Sequence, residues 1–159
     1  MQVSDQEIKN LKELCGKAKD SFIADLEDAG LGVEPEKISL FKQCVNTHIT
    51  KLEELHDGGL PNRKYAKEEL HNYLMVLNSI ITTKGSNYIL NHKDLICRAK
   101  TEDEKKQTGR DIINGILHEM KYSLELATVA DKQRRENLGF SAKEKKRVTQ
   151  NHNGSRSLN

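Results

Sequence analysis

The stretch SDQEIKNLKELCGKAKDSFIADLEDAG, Ser4 to Gly30, decides the fold class. Ser4 followed by Glu7 is a capping box, in which each side chain satisfies a backbone N–H that the first turn of a helix would otherwise leave unpaired. Behind it Ile8, Leu11, Cys15, Ala18, Phe22 and Leu26 recur at intervals of three or four, so they share one face of a helix. Gly30 and Gly32 then supply the breakers that end it near Ala29.

The same grammar continues outward. Pro35, between Glu34 and Glu36, suits the first turn of a second helix, because proline lacks an N–H that would be orphaned there. Its stripe is Ile38, Phe41, Val45, His48, Leu52 and Leu55, stopped by Asp57, Gly58 and Gly59. A third helix is expected after Pro61 with Asn62 as its cap. It carries Ala66, Leu70, Tyr73, Leu77 and Ile80 inward, widened by Leu74 and Ile81, and Lys84-Gly85-Ser86 is expected to close it. The segment NYILNHKDLICRA, Asn87 to Ala99, reads as a shorter fourth helix. Thr101 and Glu104 form a second capping box, which opens a long helix through Gly109, Ile113, Ile116, Met120 and Ala127, flanked by Ile112, Leu117 and Leu124. Sustained alternation of apolar and polar residues is missing, so strands are not expected. The expectation is an all-α protein, an antiparallel bundle of four to five helices over residues 1–131.

Composition agrees with this. At 159 residues the chain can bury a core without help from disulfides or metals. Hydrophobic residues make up 35%, charged residues 31% and aromatics 4%, with no Trp, which is lean for a deep apolar catalytic pocket. Cys15, Cys44 and Cys97 are widely spaced and form no C-x-x-C pair, so neither a disulfide framework nor a zinc cage is implied. A cytoplasmic or other reducing compartment is the simplest expectation. The N-terminus lacks the apolar run of a signal peptide, although export by a signal-less route would leave the same pattern. No stretch approaches the roughly 20 apolar residues of a membrane span.

The charge is segregated. Residues 132–159 hold eight cations against Glu136 and Glu144, about +6, leaving about −4 for the rest of the net +2. Residues 132–159 are therefore expected to form a basic C-terminal extension, with one short helix starting near Ser141 and a disordered end at Gln150 to Asn159. Arg134, Arg135, Lys143, Lys145, Lys146 and Arg147 are its candidate partner-binding residues, for nucleic-acid phosphates or an anionic surface. With Phe140 as its one aromatic, the segment lacks the stacking platforms of single-strand binders.

Glu53 to His56 and Glu68 to His71 repeat the tetrapeptide EELH, whose Glu-x-x-His spacing occurs in di-iron bundles. With Leu52 and Leu55 inward, Glu53 and His56 are expected on a solvated flank, and Glu68 points largely outward. No metal site is expected from them. His118-Glu119 opens an H-E-x-x-H pattern that fails at Tyr122. His48 sits on the core stripe and is expected to be a buried histidine with one ring nitrogen bonded to a carbonyl. Cys97 has cationic neighbours in Lys93, Arg98 and Lys100, but no identifiable base. Glycine-rich phosphate loops are absent, and no cofactor is implied. Gly115 in the long helix costs about 1 kcal/mol relative to alanine, and close helix contact is favoured over a bend as its reason.

These features lean against an enzyme. The expectation is a non-catalytic helical protein–protein interaction module of the adaptor, inhibitor or effector-like kind, acting on a protein partner. The alternative is a nucleic-acid-associated protein that binds phosphates through its basic C-terminal segment.

Overall fold

The computed structural model describes the backbone of residues 3–57 and 63–147 and the side chains of residues 3–56 and 66–137. The expected cap at Asn62, the stop at Gly58-Gly59 and the expected disorder at Gln150 to Asn159 lie outside the described residues.

Both capping boxes form. Glu7 N donates to Ser4 Oγ at 3.1 Å and Ser4 N to Glu7 Oε1 at 3.4 Å, opening α1 (Asp5–Asp28). At its other end Gly30 takes φ +77°, Gly30 N donates to Glu27 O and Leu31 N donates to Leu26 O. This is a Schellman closure, and Leu26 and Leu31 are both buried behind it. The stripes of α2 (Pro35–Asp57) and α3 (Arg63–Ser79) face the core as expected, with Phe41, Val45, Leu52, Leu74 and Leu77 fully buried. Each such side chain contributes about 1.5–3 kcal/mol relative to exposure.

Gly85 does not end the third helix. A π-helical turn over Ile80–Lys84 joins α3 directly to α4 (Gly85–Asn91), and Gly85 itself has helical torsions. The reason lies far back in the chain: a β-carbon on Gly85 would stand 2.8 Å from Phe22 Cδ1. The glycine lets the helix pass close to that ring, and the wider π turn re-aims the apolar face from Ile80 and Ile81 to Tyr88 and Ile89. After the short α5 (Lys93–Arg98), Thr101 Oγ1 and Glu104 cap α6 (Glu102–Arg147). This last helix extends past Asp131 to Arg147.

With Arg63–Asn91 counted as one helix interrupted by the π turn, the chain is an all-α bundle of five helices without strands among the described residues. Two compact units are distinguished, Met1–Ala127 and Thr128–Asn159. Within the first, directions alternate. Lys12 of α1 meets Glu53 of α2 at 2.8 Å while Phe22 meets Phe41, so those two helices are antiparallel. Lys67 pairs with Asp5 and the Cys15 thiol donates to Leu74 O, which sets α3 parallel to α1. Arg110 near the start of α6 binds Glu34, and Ala127 packs with Ile8, Leu52 and Leu74, so α6 descends alongside α2. One cluster around Phe22, Phe41, Ile81 and Ile113 fills one end of the bundle, and Ile8, Leu11, Leu52, Leu74 and Ala127 fill the other.

Candidate functional site

A concavity of about 480 Å³ lies between α2 and α6. From α2 it takes Leu40, Gln43, Cys44, Thr47, His48 and Lys51, and from α6 Leu117, Met120, Lys121 and Leu124. Both walls therefore advance at helical spacing, three or four residues at a time. The surface is apolar along its length: Met120 is buried, Leu117, Leu124 and Cys44 are half-buried, and Leu40 remains 44% exposed. Lys51 and Lys121 are exposed cations on its rim. Among the described residues no carboxylate lines it. Glu53 and Glu119, the acidic residues nearest in sequence to the two lysines, are held by Lys12 and Lys84, at 2.8 and 2.7 Å.

His48 contributes to the groove from within the core. It is 3% exposed, its Nε2 has no hydrogen-bond partner among the described residues, and burial pushes its pKa down from 6.5 to about 4. It is therefore neutral at physiological pH.

The EELH pair is placed differently from the expectation. His56 is buried at 6% exposure rather than solvated, because α3 covers that flank: the Tyr73 ring lies 5.7 Å away and Glu69 Oε2 lies 3.8 Å from Nε2. Nδ1 bonds Leu52 O at 2.7 Å. The carboxylate that approaches His56 is thus the second residue of the second copy, Glu69, while Glu53 is committed to Lys12. Glu68 and His71 are half-buried on α3. Among the described residues no group of three or more His, Cys, Asp and Glu side chains is arranged to hold a metal ion.

Of the thiols, Cys15 is fully buried, with its pKa pushed up to about 11 by desolvation, so it is an inert part of the core. Cys97 is exposed. In the second unit, Asp131 engages Arg135 Nε at 2.7 Å and Arg134 Nη2 at 3.6 Å, and Lys132 stands 4.0 Å from Glu136. Two of the six basic candidates are thereby turned toward a carboxylate of their own helix. Lys143, Lys145, Lys146 and Arg147 lie on the α6 backbone, and their side chains fall outside the described residues.

No family model, curated protein or solved structure matches this chain. Its own geometry therefore carries the functional reading. Among the described residues no helix is long and apolar enough to cross a membrane.

The groove was the part of the site that the sequence left unread. Its signal was Leu40, an apolar residue off the core stripe of α2, followed by Cys44, Thr47 and Lys51 at spacings of four, three and four. That second stripe becomes meaningful only beside Leu117, Lys121 and Leu124.

Proposed function

We propose that this chain is a non-catalytic helical interaction module, of the adaptor, inhibitor or effector-like kind, whose binding surface is the groove between α2 and α6. The observation that supports this reading is the groove itself: an apolar trough between two helices, with Leu40 partly exposed and the nearby histidine neutral and buried. Exposed apolar surface of this shape gains free energy when another surface covers it, and no chemistry is needed.

A photo-crosslinking residue placed at position 40 of the full chain, and at position 95 as a control, tests the reading in an extract of the source cells. Leu95 is similarly exposed, at 52%, and lies on α5 away from the groove. A discrete crosslinked partner from position 40 alone is the expected result. Equal labelling from both positions, or none from position 40, would remove the reading.

A second reading keeps the basic segment as a phosphate-binding arm. Charge segregation along the chain supports it, whereas the commitment of Arg134 and Arg135 to Asp131 weighs against it. Its signature is salt-dependent binding to oligonucleotides that disappears when residues 132–159 are deleted.

A further inference from the structure

The groove's dimensions and charge specify more than a generic partner. We infer that its occupant is an acidic amphipathic helix of about three turns supplied by a protein partner, an inference that rests on the interaction-module reading.

Shape supplies the first argument. Leu40 to Lys51 is a run of eleven residue steps along α2, about 16 Å at 1.5 Å per residue, which is the length of three helical turns. A trough bounded by two helices running the same way accepts a third, because side chains at three- and four-residue spacing form ridges that fit between those of both walls. A peptide that binds by β-strand addition would instead need an open strand edge, and no strand exists among the described residues. A helix satisfies its own backbone and presents only side chains to an apolar floor.

Charge supplies the second. Lys51 and Lys121 sit on opposite walls, exposed, and neither forms an ion pair among the described residues. With no carboxylate in the lining, the rim is uniformly cationic. An occupant that buries Leu, Ile or Met against Leu117, Met120 and Leu124 while placing Asp or Glu at both edges meets both walls at once. A basic helix would set like charges together on each side. Such rim contacts govern selectivity and association rate more than gross affinity.

The test uses the full chain and two fluorescent 14-residue helical peptides with the same Leu face, one with Glu flanks and one with Lys flanks, titrated by anisotropy at low and moderate salt. The Glu peptide is expected to bind wild type and to weaken about tenfold or more against K51E/K121E, with the Lys peptide showing the reverse preference. Both substitutions lie on exposed positions, and a thermal melt by circular dichroism verifies that the variant is folded. Equal binding of both peptides, abolished by L40E, would overturn the acidic specificity while leaving the groove as a helix site. Binding of neither peptide would overturn the inference, with the crosslink from position 40 deciding the module reading separately. Concentration-dependent dimerisation that L40E abolishes would also overturn it, since a second copy would then be the occupant.

Discussion

Gly115 of α6 lies beneath the ring of Tyr88 of α4, so close that a β-carbon at position 115 would fall inside the van der Waals envelope of Tyr88 Cε1 and Cζ. The glycine that weakens the helix locally is what lets α4 close against it.

Gly115→Ala is therefore expected to destabilise the protein by about 1–2 kcal/mol, the cost of overpacking outweighing the gain in helix propensity. In a Tyr88→Ala background the sign should reverse, because the ring is gone and the propensity gain of about 1 kcal/mol remains. Urea denaturation of the four proteins in this cycle measures the coupling. Additive effects would mean that the two residues do not meet.

Two other glycines separate conformational need from helix propensity. Gly30 holds φ +77° at the end of α1, and Gly30→Ala should cost about 1 kcal/mol. Gly16 lies inside α1, where an added methyl group would meet nothing within 4 Å, and Gly16→Ala should stabilise by about 0.5–1 kcal/mol. Chemical denaturation of each variant reads opposite shifts in midpoint.

His48 makes stability depend on pH. Its folded-state pKa of about 4 lies below the ordinary 6.5, so between those values the unfolded chain binds the extra proton. The corresponding stability is fully present above about pH 6.5 and falls as pH drops toward 4, by on the order of 3 kcal/mol. His48→Leu should flatten this part of the pH profile, and it should also stabilise the neutral protein by about 1 kcal/mol by removing an unpartnered buried nitrogen. Denaturation midpoints from about pH 4 to 7.5 for both proteins test it.

The thiols should react in a set order. Cys97 is exposed, Cys44 is half-buried in the groove and Cys15 is fully buried. A disulfide-exchange reagent added to native protein should modify Cys97 first, Cys44 more slowly and Cys15 only on unfolding. Mass mapping of the labelled sites against time checks the order, and rapid modification of Cys15 would contradict its burial.

What the sequence reveals here is what local physics controls. The Ser4/Glu7 and Thr101/Glu104 boxes form from residues three apart, and the α1 stripe from Ile8 to Leu26 is buried throughout because helical spacing alone orients it. The misreadings share the opposite cause. Gly85 resembles a stop until Phe22, far away in the chain, explains it as clearance for a ring. His56 resembles a flank residue until Tyr73 and Glu69 of α3 cover it. Leu40, in contrast, drew no reading at all, because only α6 standing across from it makes a groove. Each depends on which helix lies opposite, which periodicity within a single helix does not encode.

The most direct test of the central claim compares two full-length variants with wild type for retention of the partner crosslinked from position 40. One carries L40E/K121E in the groove, and the other reverses Lys143, Lys145, Lys146 and Arg147 to Glu. Loss of the partner from the groove variant and its retention by the other is the predicted result. Retention by the groove variant with loss on reversal of the basic cluster would contradict the account and place function in the C-terminal segment.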